Sequence, residues 1–248
     1  MKRAWMALIF LAAVAVWAAE RTTWAQDFQK NYGIPAGGQI RIGNVSGDVK
    51  VSGSRDIGSV SISAYKTGRD RELVRIEDAS TGDRIDLKVA YPERGNCDAS
   101  VNFEIRVPQG IDYNFERLTS VSGNVEIMSV RGRIRAESVS GNVIVKDVAG
   151  VVSANSVSGD VDVEITRLEG RGEMKFSSVS GNVAVRAPAS LDADIEMSSV
   201  SGSLKTDFPI EIQERRYGPG RSARGRLGGG ANNLRISSVS GRISLTRI

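Results

Sequence analysis

The chemistry open to this chain is narrowed first by side chains it lacks. Its 248 residues include no histidine and a single cysteine, Cys97. Without imidazole there is no Ser-His-Asp arrangement, no histidine general base and no imidazole metal ligand. One thiol supplies neither a thiolate zinc set nor an intramolecular disulfide. Carboxylates remain. Asp160, Asp162 and Glu164 alternate along the chain, as do Asp192, Asp194 and Glu196, so each row falls on one outward face of an extended strand. Such rows suit Ca²⁺ ligation or acid/base work on polysaccharides. A solvated strand face is the simpler account, because the Gly-Gly-x-Gly-x-Asp calcium signature is missing. The other candidate is the stretch from Gly218 to Arg226. There Arg221, Arg224 and Arg226, with glycine N–H groups, form a candidate contact for an anion or a partner. The plainer alternative is a solvated basic cap. Gly228-Gly229-Gly230 lacks the Lys-Ser/Thr of a nucleotide-binding loop. No catalytic residue, metal site or cofactor is therefore assigned. Cys97, beside Asn96 and Asp98, is an incidental thiol, a free thiol or an intermolecular link.

The elements that position these groups come from a repeat. Val-Ser-Gly recurs with its glycine at Gly47, Gly123, Gly141, Gly159, Gly181, Gly202 and Gly241. From Gly123 the spacings are 18, 18, 22, 21 and 39, the last near two turns. A weaker copy falls halfway: Val121, Val130, Val139, Val148 and Val157 are spaced by nine, each with glycine two residues on. Val139, Val143 and Val145 share one parity, which predicts a strand with all three facing a core. Glycine at such a site allows a bend or a close backbone approach. No segment after residue 25 has the pattern of a ten-residue amphipathic helix, so helical crossovers are not expected.

These features predict an all-β, parallel β-helix or solenoid of 18–22 residues per coil. Coils about 4.8 Å apart give roughly ten turns and a rod on the order of 50 Å. Gly-Asn and Gly-Asp pairs also suit antiparallel hairpins, but separate hairpins have no reason to keep a nine-residue register. Stacked coils predict two columns: Ser122, Ser140, Ser158, Ser180, Ser201 and Ser240, and beside them Asn124, Asn142, Asp160 and Asn182. Ser203 and Arg242 interrupt the second column. A structural ladder is favoured over an adhesive or ion-binding face.

The ends differ from the middle. Lys2 and Arg3 precede an apolar run from Ala4 to Ala19, followed by small-x-small sites ending at Ala18 and Ala25. This reads as a signal peptide, residues 1–25, with cleavage after Ala25 or after Ala18. An uncleaved anchor is the alternative. No second apolar run of spanning length follows. Residues 26–120 read as an irregular N-terminal β region or cap, and 121–248 as the repetitive solenoid with a Gly/Arg-rich loop at 214–233. Together 26–248 form one continuous domain. Eight arginines and two glutamates lie from Glu211 onward, a basic end on a nearly balanced chain.

The Ser-Val-Ser-Gly-(Asn/Asp)-Val repeats resemble the bacterial putative-adhesin domain family, a domain of unknown function. Gly43-Asn44-Val45-Ser46-Gly47-Asp48-Val49, Val107-Pro108-Gln109-Gly110 and Gly228-Gly229-Gly230 add to the likeness, which covers nearly the whole chain after residue 25. The resemblance implies a β-helical fold and an exported or envelope-associated protein. It supplies no catalytic residues. The expected function is thus a non-enzymatic adhesin-like module or scaffold, periplasmic or at the cell surface. Its partner is an unknown envelope protein or glycan, with homo-assembly through coil ends as a further route. A polysaccharide-active lyase or hydrolase is the alternative. Export and the absence of interleaved aromatics speak against nucleic acid.

Overall fold

The computed structural model describes residues 27–93, 96–214 and 220–248. The expected signal peptide, and Gly218 and Pro219 of the basic stretch, lie outside the described residues. Among the described residues the only helix is a 3-10 turn at Arg71–Leu73. The strands of the N-terminal part are β1 (Phe28–Tyr32), β2 (Gln39–Gly43), β3 (Val49–Ser54), β4 (Val60–Thr67), β5 (Arg75–Asp78), β6 (Arg84–Ala90) and β7 (Ser100–Pro108). The regular part follows with β8 (Asp112–Ser120), β9 (Val125–Met128), β10 (Arg131–Ser138), β11 (Val143–Ala149), β12 (Val152–Asn155), β13 (Val161–Arg167), β14 (Glu173–Ser178) and β15 (Val183–Ala187). The C-terminal part holds β16 (Ala193–Ser199), β17 (Leu204–Thr206), β18 (Ile212–Glu214), β19 (Arg221–Leu227), β20 (Asn232–Ser238) and β21 (Ile243–Arg247).

The chain is a β-solenoid. Each regular coil gives one strand to each of two faces. β8, β10, β12 and β14 stack in parallel on the first, and β9, β11, β13 and β15 on the second. The registers follow the repeat: Val125, Val143, Val161 and Val183 are partners, one per coil. β-branched residues at alternate positions make this work, because the pleat sends every second side chain into the space between the faces. Val143, Val145, Val161, Val163, Val183 and Val185 are all buried. The parallel pairing rules out hairpins at the Gly-Asn corners.

Stacking order departs from chain order at both ends. The first coil, β2 and β3, lies between β6/β7 and β8/β9. At the other end β20 sits between β14 and β16, and β21 between β15 and β17. The chain therefore skips a level, builds the outer coil β16/β17, reverses through β18 and β19, and returns to fill the gap. That detour accounts for the 39-residue spacing from Gly202 to Gly241. Among the described residues the coils number eight, fewer than the spacing suggests, because β1, β4, β5, β18 and β19 form antiparallel caps instead. The segment expected as a loop over 214–233 contains one of these caps: β19 runs antiparallel along the whole of β16. Capping of this kind hides the open strand edge that a solenoid end otherwise presents.

Candidate functional site

The repeated corner, Ser-Val-Ser-Gly, is where the chain passes from the first face to the second. Its glycines are dictated by axial packing. A Cβ on Gly141, Gly159, Gly181 or Gly241 would overlap the carbonyl oxygen of the corner glycine in the coil beneath, and Gly123 meets Gly47 and Gly202 meets Gly241 in the same way. Of this series only Gly47 has positive φ, at 103°. Close approach, not a bend, is the reason for the glycine.

The first serine of each corner was not singled out by the sequence pattern, and it does most of the polar work. Ser120, Ser138, Ser156, Ser178, Ser199 and Ser238 are buried. Ser138, Ser156 and Ser178 each donate to the glycine carbonyl of the coil below at 2.8 Å. Each also accepts from the glycine N–H of its own corner at 2.9–3.0 Å. In the first coil Asn44 replaces the serine and donates to the Gly47 and Val101 carbonyls. The signal was present as Ser at the position three before each glycine. Serine at a strand end reads as solvent-facing, so the pattern alone does not mark it as buried.

The second serine faces out, in a column held by backbone bonds. Ser122, Ser140, Ser158, Ser180, Ser240 and Ser201 donate their N–H groups to Val45, Val121, Val139, Val157, Val179 and Val239 respectively, at 2.8–3.0 Å. Those bonds fix the vertical order of the valines, and they correct an expectation. Val139 does not face the core with Val143 and Val145; it is 43% exposed, and Val45, Val121, Val157, Val179, Val200 and Val239 are similarly open. The halfway valines Val130 and Val148 are buried. Parity holds only within a strand, and the corner resets it.

The neighbouring column is a side-chain ladder. The N–H groups of Asn124, Asn142, Asp160, Asn182 and Arg242 donate to the side-chain oxygens of Asp48, Asn124, Asn142, Asp160 and Asn182. Arg242 ends it, having no side-chain oxygen to pass on.

The two acidic rows are occupied by neighbours. Asp160 belongs to the ladder. Asp162 accepts from Arg186 at 3.1 Å and Glu164 from Arg186 at 2.9 Å. Asp192 accepts from the N–H groups of Gly230 and Ala231. The structure places Arg221, Arg224 and Arg226 on β19, with Arg224 opposite Glu196, Arg226 opposite Asp194 and Arg221 opposite Ser199. Arg224 donates to Glu196 at 2.6 Å, and Arg226 forks onto Asp194. The Arg226 guanidinium holds Asp194 below the usual carboxylate range. Hydrogen bonding from Arg41 does the same for Glu116. A general acid needs a shift in the other direction. Among the described residues no group of three or more His, Cys, Asp and Glu side chains is set to hold a metal ion. Cys97 is half-buried, and burial, with Asp70 and Asp98 nearby, pushes its thiol up.

Beside the valines on the first face runs a groove. It consists of two adjoining clefts that share Arg117, Thr119, Arg135 and Glu137; one also takes in Arg41, Lys88 and Glu116, the other Asn155, Lys175 and Ser177. Arg41 pairs with Glu116 and Asp86, and Arg135 with Glu137.

Fold and surface together define a capped β-solenoid whose polar groups serve mainly to hold coil on coil. The chain belongs to the Toastrack family, DUF4097, a family of unknown function, whose model matches residues 30–246. No curated protein matches the sequence. Similar solved structures include a putative cell adhesion protein from Clostridium sporogenes, 12% identical over 89% of this chain and 99% of that one, with a TM-score of 0.48. Another is a putative adhesin from Bacteroides fragilis, 17% identical over 89% and 96%, with a TM-score of 0.40.

Proposed function

We propose that the protein is a non-enzymatic, exported adhesin-like module or scaffold of the bacterial envelope or surface. In this reading residues 1–25 direct export and 26–248 form one continuous domain. The observation that carries it is the use of the carboxylates. Both acidic rows are tied into ladders and ion pairs, so the groups an acid/base enzyme needs are engaged in holding strands together. No helix among the described residues is long and apolar enough to cross a membrane. Lys2, Arg3 and the apolar run after them support export. Arg221, Arg224 and Arg226 remain a candidate contact for an anionic partner, with Arg224 and Arg226 already engaged by acids of β16. Assembly through coil ends would have to use the cap strands.

Two measurements test this. A C-terminal alkaline phosphatase fusion to the full chain should be active in the producing bacterium, and an inactive fusion retained in the cytoplasm refutes export. Purified protein should leave acidic and neutral glycans uncleaved. Glycan turnover lost in Asp160→Asn or Asp162→Asn would overturn the non-enzymatic reading and restore the polysaccharide-active alternative.

A further inference from the structure

Charge on the first face is unevenly neutralised. The strands stacked there are β6, β2, β8, β10, β12, β14, β20 and β16. Every acidic side chain on them is ion-paired with an arginine. Four cations on the same strands, Lys88, Arg117, Arg133 and Lys175, are exposed and have no ion pair among the described residues. The surplus is thus of one sign.

Three of those four line the clefts: Lys88 the first, Lys175 the second and Arg117 both. From β6 to β14 there are five steps of one strand each. At about 4.8 Å per step the three cations span on the order of 24 Å along the axis, with Arg117 about 10 Å from Lys88. The acids that line the clefts are engaged: Arg41 holds Asp86 and Glu116, Arg135 holds Glu137, and Arg235 holds Glu173. A ligand therefore meets positive charge at both ends and within the run.

The remaining lining narrows the choice of anion. Thr119, Ser153, Asn155 and Ser177 set neutral hydrogen-bonding groups among the cations. Asn155 accepts from the Ser177 hydroxyl at 2.7 Å through its oxygen, which leaves its amide N–H groups to donate elsewhere. No aromatic ring lines either cleft, so a neutral sugar finds no stacking platform. A chain that carries carboxylates with hydroxyls between them meets both sets of groups. A polyphosphate meets only the cations.

We propose that the two clefts form one binding site for a linear acidic glycan, laid along the coil axis with its carboxylates on Lys88, Arg117 and Lys175. The proposal rests on the interaction-module reading and deepens it by naming the chemistry of the partner. The site is separate from β19, where Arg224 and Arg226 already face acids. Contacts this exposed give modest affinity, with a dissociation constant on the order of 100 μM at low salt.

The test is fluorescence anisotropy of a labelled oligomannuronate titrated with the purified protein. Binding should be present at about 10 mM salt and vanish near 1 M, where the Debye length falls from about 30 Å to about 3 Å. Lys88→Gln, Arg117→Gln and Lys175→Gln together should weaken it at least about tenfold, which is 1.4 kcal/mol. All three side chains are exposed, so the melting temperature should not move. A charge-matched control, Arg55→Gln with Lys66→Gln and Lys205→Gln, removes three cations from outside the clefts and should bind like wild type. Equal weakening in the two triple variants overturns the proposal, as does wild type that fails to bind at up to about 1 mM protein. Labelled polyphosphate and neutral dextran are the competing probes. Tighter binding of polyphosphate than of oligomannuronate would make the glycan assignment wrong, and dextran binding as well as oligomannuronate would remove the role of charge. Cleavage of the probe sinks the interaction reading, whereas an exported, inert protein that ignores oligomannuronate sinks this proposal alone.

Discussion

Replacing Ser156 with alanine should cost far more than replacing Ser158, two residues along in the same corner. Ser156 is 5% exposed. Its hydroxyl donates to the Gly141 carbonyl at 2.8 Å and accepts from the Gly159 N–H at 3.0 Å. Alanine removes both bonds and leaves a backbone donor and acceptor shielded from water. One intramolecular hydrogen bond is worth about 1 kcal/mol net, and a buried group left unpaired costs about 1–3. The expected loss for Ser156→Ala is therefore roughly 2–4 kcal/mol. The Ser158 side chain is exposed, so Ser158→Ala should stay within about 0.5 kcal/mol of wild type. Urea unfolding followed by far-ultraviolet circular dichroism measures both, with m-values checked because stacked repeats can lose two-state behaviour. Hydrogen exchange at the Gly159 amide gives a local readout, and protection there should drop in Ser156→Ala alone. The effect should be smallest at Ser199, whose bond to the Gly241 carbonyl is long, at 3.4 Å. Equal midpoints for the Ser156 and Ser158 variants would refute the claim that the first serine holds the coils together.

Gly159→Ala should destabilise by about 2–4 kcal/mol, since its Cβ overlaps the Gly141 carbonyl and backbone has no rotamer with which to escape. Gly110→Ala, with open space around it, is the control, and matching urea midpoints would contradict the close-approach argument. Asp78 clamps two cap strands: Lys30 of β1 donates at 2.6 Å and Tyr32 at 2.9 Å, with the Ser80 N–H adding a third bond. Burial works to raise its carboxyl, but these bonds prevail and hold it well below the ordinary range. A carboxylate with a lowered folded pKa contributes fully above the unfolded value of about 3.9, and its contribution fades as pH falls below that. Asp78→Asn should therefore flatten the loss of stability between about pH 5 and 2, and an unchanged slope in acid-unfolding curves would refute the clamp. Cys97 should react with a maleimide more slowly at neutral pH than an unhindered thiol, because its thiolate forms only at higher pH. A rate equal to that of a cysteine peptide would contradict this.

Much of the architecture was legible because it is local and repeated. Val143 and Val145, Val161 and Val163, Val183 and Val185 alternate with polar residues, and the pleat alone sends them inward. Glycine at every corner announced close packing along an axis, and the Asn124-to-Asn182 column followed from the period. The candidate arginines were legible as a basic cluster, but not their engagement by Asp194 and Glu196, which are about thirty residues away in the chain.

Sequence by itself therefore determined the strands of the regular coils, the coil length and the positions where backbones touch, since these depend on spacing within one turn, whereas the cap strand β19 lay where a loop was expected. Tertiary structure decided which valines are outside, because a corner breaks the two-residue parity that assigns faces within a strand. It decided too that residues 232–247 enter between two coils already made. That choice depends on which strand edges stand open when the chain returns, a non-local condition that no window of residues carries.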